Sequence, residues 1–268
     1  MIIDFHTHCY PPNLAAKLVR TVQPPRWIPT PTKEVLLSQI EEVGIDLCVN
    51  HPVANRPDTV RDTNRFAQSV QNDRIISFAA IHPDSPDVLD WLDEVREMGA
   101  KGVKFHPPFQ RFLPHDPKYR PVYRKIGELG LISLFHGGRA RPKNQETFCT
   151  PATFATVVDA FQGAPVILAH MGGFRIDDEE LNLLPSLPVY VDTALWPAFM
   201  SHLSPERMTD LIRQIGAERV IFGSDFPYTP ADDSIQRLRS LPLSEGEKEL
   251  IFSGNAKRLL GLTKEPIA

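Results

Sequence analysis

The sequence has no CxxC pair, no GxGxxG turn, no run of basic residues and no long hydrophobic stretch. Each absence removes a class of function. Three cysteines, Cys9, Cys48 and Cys149, are too few and too scattered for a disulfide framework or a structural zinc site, and read as reduced thiols of a cytoplasmic protein. Without a glycine-rich first turn, a dinucleotide-binding open sheet is disfavoured. The net charge of -4 and pI of about 6.1 come without clustered Lys and Arg, so nucleic acid is not expected as a partner. No window approaches the roughly 18 apolar residues of a membrane helix, and no basic stretch precedes the first apolar run. Neither a membrane partner nor a signal peptide is therefore expected.

What is present is a regular alternation. The 268 residues are 42% hydrophobic, enough for one large core, and close to the roughly 250 residues of an eight-stranded α/β barrel. Apolar runs of strand character cover 2–6, 47–51, 75–81, 102–106, 131–136, 166–170, 189–192 and 220–223. Amphipathic helical patterns lie at 32–43, 58–71, 86–98, 119–128, 151–161, 205–215 and 245–260. In 86–98 the stripe is read as Leu89, Leu92, Val95 and Met98. Prolines, 26 in all, are about twice the usual ~5% and punctuate these units. Eight strand-helix alternations imply a parallel sheet that closes on itself, an α/β fold with a single (β/α)8 barrel over residues 1–268. Longer segments after strands, at 10–32, 107–118 and 137–149, belong to the carboxyl-terminal face, where barrel enzymes build their sites.

Histidine marks that face. Seven of the nine histidines sit at expected strand ends, leaving His115 and His202 elsewhere. Three successive strands close on His-Pro, at His51, His82 and His106. The first strand closes on His6-Thr7-His8, and side chains two apart on a strand share a face, so both imidazoles can reach one ion. A closed barrel sets the first strand beside the eighth, which ends in Gly223-Ser224-Asp225-Phe226-Pro227. His6, His8 and Asp225 can then meet, with His136 of Leu134-Phe135-His136-Gly137-Gly138 approaching across the mouth. Imidazole and carboxylate together suit zinc, manganese or iron, and four such ligands still leave a water position.

Asp4-Phe5-His6-Thr7-His8, His136-Gly137-Gly138, His170-Met171-Gly172-Gly173, Gly223-Ser224-Asp225-Phe226-Pro227 and the closing 253–260 segment resemble, in order and over the whole chain, the amidohydrolase superfamily of metal-dependent barrels. Within it the chain is similar to the amidohydrolase-related group that includes aminocarboxymuconate semialdehyde decarboxylase-like proteins. The resemblance implies one divalent ion, zinc by default, on His6, His8, His136 and Asp225. It implies Asp225 as the catalytic base toward water on that ion, whose pKa the ion lowers toward ~7. It gives His170 a catalytic acid/base or electrophilic role; the alternatives are a second-metal ligand and a structural histidine.

Lys104 and His106 share a strand face, and some superfamily members carboxylate a lysine on the fourth strand to bridge two metals. The plainer reading is one ion, with Lys104 paired to an acid or facing an anionic substrate. Arg139, Arg141 and Arg175 follow the His-Gly-Gly segments and are candidates to clamp a substrate carboxylate, although loop arginines are commonly just solvated. Trp196 and Phe199 are either pocket walls or packing. Cys9 has no paired base, so a nucleophilic role is not expected.

Four functions are consistent with this pattern, and the sequence separates the first two poorly. A hydrolase of a small ester, amide or lactone comes first. A non-oxidative decarboxylase of a small carboxylated substrate comes second, since it uses nearly the same ligands. A barrel without chemistry and a nuclease of the same fold rank lower. Symmetric assembly into a homo-oligomer is common for such enzymes.

Overall fold

The computed structural model describes residues 1–21, 28–139, 149–196 and 198–262. Its strands are β1 (Ile3–Thr7), β2 (Leu47–Asn50), β3 (Ile75–Ser77), β4 (Ala79–Ala80), β5 (Gly102–Phe105), β6 (Ile132–Phe135), β7 (Val166–Leu168), β8 (Tyr190–Asp192) and β9 (Val220–Ile221). All neighbours pair in parallel, β1 through β3 in one sheet and β4 through β9 in another. β3 and β4 are two halves of the strand expected at 75–81. They part at Phe78, whose N–H still bonds the Asn50 carbonyl at 3.0 Å.

Among the described residues no regular ladder joins β9 to β1. Single backbone bonds make that join instead: Phe5 N to Phe222 O (2.9 Å), Asp225 N to His6 O (2.8 Å) and His8 N to Phe226 O (2.8 Å). Thr7 and Phe226 also form a parallel bridge. The fold is a (β/α)8 barrel of the α/β class, with its seam at the level of the His-Thr-His pair.

The helices are α1 (Pro12–Thr21), α2 (Lys33–Glu42), α3 (Val60–Val70), α4 (Val88–Glu97), α5 (Pro107–Gln110), α6 (Arg120–Glu128), α7 (Pro151–Ala155), α8 (Asp178–Leu181), α9 (Pro205–Ile215), α10 (Ala231–Ser240), α11 (Glu245–Glu249) and α12 (Asn255–Leu260). A π turn at Leu250–Gly254 joins the last two, so the expected 245–260 helix runs through. The expected 151–161 helix does not. It stops at Ala155 and resumes as a 3-10 turn at Val158–Phe161, with two β-branched residues, Thr156 and Val157, between the two. Helices α1, α5, α8 and α10 lie outside the expected patterns; α10 buries only Ile235 and Leu238 as large apolar residues.

In α4 the buried stripe is Val88, Trp91, Leu92 and Val95, while Leu89 and Met98 are exposed. Repeated steps of three drift around a helix of 3.6 residues per turn, so the ends of the expected stripe leave the covered face. Inside the barrel, Ile3, Phe5, Val49, Phe78, Ile132, Leu134 and Ile167 form one apolar plug with Ala256 and Leu260 of α12. This plug fills the barrel below the strand ends. No helix of the described residues is long and apolar enough to cross a membrane.

Candidate metal centre

The seam between β9 and β1 is built around the buried carboxylate of Asp4. Its Oδ1 accepts from His6 N (3.1 Å) and Ser224 N (2.9 Å), and its Oδ2 accepts from Ser224 Oγ at 2.6 Å. Burial pushes Asp4 up to about 7, against the pull of these donors. Gly223 allows the close approach, because a Cβ there would stand 2.7 Å from His6 Cβ. Asp225 then turns in a left-handed conformation at φ 68. As a result His8 Nε2 lies 3.1 Å and His6 Nε2 3.5 Å from Asp225 Oδ1.

Each imidazole is held from behind. His6 Nδ1 is 2.7 Å from Asp192 Oδ2, and His8 Nδ1 is 2.7 Å from the His51 carbonyl. An acceptor behind Nδ1 leaves the Nε2 lone pair facing forward, which is how metal-bound histidines are usually oriented. Burial first, then the Lys104 cation, holds His6 well below the ordinary histidine range and therefore neutral. The donor atoms of His6, His8 and Asp225 lie within 4.8 Å of one another. Two imidazoles and a carboxylate fit a zinc-, manganese- or iron-type ion, and three protein donors leave coordination positions open.

His136 stands beside this group rather than inside it. Its Nδ1 is 3.0 Å from His170 Nε2, its Nε2 is 3.2 Å from the Arg139 carbonyl, and its ring stacks on His106 at 4.1 Å. His106 is in turn stacked on Phe109 at 3.9 Å and caps α5, where its Nδ1 accepts from Phe109 N. His170 is buried and adopts φ 62. Lys104 is buried with Nζ 3.3 Å from His6 Nε2; burial lowers it to about 8, opposed by Asp192 and Asp225.

The arginines are less central. The Arg139 amide bonds Phe174 O, and Arg175 is exposed with its guanidinium 5.0 Å above the Phe174 ring. Arg141 lies outside the described residues. Trp196 is packed, its Nε1 donating to Leu203 O at 2.8 Å, and Phe199 meets Phe174 edge to face. Cys9 is buried, with its thiol pushed up to about 12 by desolvation.

Asp192 was given no role by the sequence pattern, yet it is fully buried and touches both His6 and the His170 backbone. The available signal was its position: it closes an apolar strand run, as the histidines do.

The family model described as Amidohydrolase (Amidohydro_2) matches residues 3–262. The chain belongs to this amidohydrolase family. Among curated relatives, it is 23% identical to the gamma-resorcylate decarboxylase of Rhizobium radiobacter over 232 residues, 71% of each chain. Among solved structures it resembles 2,6-dihydroxybenzoate decarboxylase complexed with 2,6-dihydroxybenzoate, at TM-score 0.73 and 17% identity over 97% of this chain and 99% of the other. A dihydroxybenzoic acid decarboxylase from Polaromonas sp. JS666, with bound manganese and 2-nitroresorcinol, superposes at TM-score 0.71 and 18% identity over 98% of both chains. A candidate 2-pyrone-4,6-dicarboxylic acid hydrolase from Pseudomonas putida does so at 0.70 and 20% identity, again over 98% of both. At these identities the structural likenesses speak for the fold.

Proposed function

We propose that this protein is a metal-dependent, non-oxidative decarboxylase of a small hydroxylated aromatic acid. One observation carries the choice: the curated relatives that match are gamma-resorcylate decarboxylases, and the first aligns over 71% of both chains. The site chemistry is compatible with it. Decarboxylation needs a cationic seat for an anionic substrate and a proton donor for the carbon that loses its carboxylate.

His6, His8 and Asp225 would hold the ion, with His136 as the further ligand that the family resemblance implies. A bound divalent ion would supply the positive charge that seats the substrate carboxylate and an adjacent phenolic oxygen. Lys104 adds a buried ammonium beside His6. Asp225, in its protonated form, gives its proton to the ring carbon as the bond to the carboxylate breaks. The electron pair of that bond becomes the new C–H bond, and carbon dioxide leaves. His170, the acid/base that the family resemblance implies, then returns a proton to Asp225. Manganese, already among the ions this donor set suits, is favoured further by the Polaromonas neighbour. A cytoplasmic location remains part of the proposal, in keeping with three unpaired cysteines.

Hydrolysis, ranked first from the sequence, is the second reading. The fold likeness to the pyrone dicarboxylic acid hydrolase keeps it in view, since the same donors could serve a water attack. Turnover of 2,6-dihydroxybenzoate in deuterated water separates the two. Decarboxylation puts one deuterium on the vacated ring carbon. Recovery of unlabelled acid, together with turnover of a pyrone or ester, would replace this reading with the hydrolytic one.

A further inference from the structure

We propose that Asp192 is the positioning residue of this centre: one carboxylate sets the tautomer of His6 and holds the backbone that carries His170. The inference rests on the metal-site reading only for the role of His6. Asp192 is fully buried at the end of β8, which pairs with β7, just ahead of His170, and with β9; His6 on β1 lies one strand further on.

Its Oδ2 lies 2.7 Å from His6 Nδ1. An ionised carboxylate only accepts, so Nδ1 carries the proton and Nε2 keeps a lone pair toward Asp225. Its Oδ1 accepts from His170 N at 2.7 Å and Ala194 N at 3.1 Å, and its own carbonyl accepts from Met171 N at 2.8 Å. Those bonds fall where the chain is left-handed, with φ 62 at His170 and 51 at Met171. Non-glycine residues stay in that region only where surrounding contacts over-determine them. Asp192 supplies those contacts from its side chain and its main chain.

His6, His170 and Asp192 could also be read as a second ion site, because their donor atoms cluster within 4.8 Å. The 2.7 Å contact argues otherwise. Tetrahedral ligands at ~2.0–2.2 Å from one ion stand further apart than that. The group orients; it does not ligate.

The test is Asp192→Asn, with Asp192→Ala beside it. His6 Nδ1 and the His170 amide lie against different oxygens of Asp192, and an amide keeps an acceptor at only one of those two positions, so it cannot serve both. If the oxygen serves His170, His6 must accept at Nδ1 and loses the Nε2 lone pair. Metal affinity, read by competition with a chromophoric chelator, then falls by about 10–100-fold. Nitrogen-15 spectra of metal-free protein would show the His6 proton moved from Nδ1 to Nε2. If the oxygen serves His6, the tautomer survives and the metal-free protein melts lower as the His170 turn loosens. Asp192→Ala loses both. Unchanged metal affinity, unchanged tautomer and unchanged melting in Asp192→Asn would overturn the assignment. Should the wild-type protein bind no metal at all, the metal reading fails on its own, while the tautomer and melting readouts still decide the role of Asp192.

Discussion

His136 and His170 share one hydrogen bond, with Nδ1 of His136 3.0 Å from Nε2 of His170. Their outer nitrogens face carbonyls, Arg139 O at 3.2 Å and Ala194 O at 3.3 Å. Three contacts need three protons, and two neutral rings supply two. Burial holds both rings below the ordinary histidine range, His136 at about 4, so the resting pair is neutral and one contact lacks its hydrogen. In the metal-free protein this chain of bonds therefore has a vacant place for one more proton, as a relay needs. Replacing His170 by Asn should lower kcat by roughly 10²–10⁴ through loss of that relay. Metal content should stay at the wild-type value, and elemental analysis of the variant checks it. Loss of the ion would make His170 a ligand instead.

The donor set predicts how the protein responds to metal. Protein purified without chelator should carry about one divalent ion per chain, and the His6→Ala, His8→Ala double variant should carry none. Metal at ~100 times its Kd should stabilise the wild type by about 2.7 kcal/mol, and the variant not at all. Thermal melts with and without chelator measure both. Two ions per chain would promote Lys104 and His170 to ligands.

Lys104 predicts a binding effect. Its ammonium is buried within 3.3 Å of His6 Nε2. A charge-assisted hydrogen bond to substrate is worth roughly 1.5–3 kcal/mol. Lys104→Gln should therefore raise KM for a carboxylated substrate by about 10–100-fold, with the ion retained. Loss of the ion in that variant would instead indicate a carboxylated lysine bridging metals.

The cysteines predict inertness. Cys9, Cys48 and Cys149 are buried and unpaired, and desolvation raises all three thiols above the ordinary range, Cys9 to about 12. A disulfide reagent at about pH 8, near the free-thiol pKa of ~8.5, should label none in the native protein and all three after unfolding. Rapid labelling of Cys9 in the native state would contradict its burial against Asn50.

How much of this was readable from the chain depends on the range of the interaction. The barrel was legible because strand and helix periods repeat, and because histidines gather where strands end. Those histidines do not all do one job, and sequence alone could not sort them. His51 bonds the Phe5 carbonyl at 2.7 Å and His82 caps a turn through the Asp84 amide, so both serve the scaffold. Asp192 escaped because its partners are 186 and 22 residues away, a lone acid with no motif around it. The exposure of Arg175 was equally hidden, since a left-handed φ of 59 turns that residue where no periodicity could foresee. The break at Phe78 follows from packing: its ring meets Phe5 at 5.7 Å and His51 at 4.8 Å inside the barrel.

The central claim is tested most directly by following the carboxyl carbon of 2,6-dihydroxybenzoate, carbon-13 labelled, in the presence of metal-loaded protein. The account predicts that the label leaves as carbon dioxide and bicarbonate while resorcinol accumulates, and that Asp225→Asn protein with its ion retained releases none. Label that stays on the ring across a panel of hydroxylated benzoates, from protein shown to carry its ion, would contradict the decarboxylase reading.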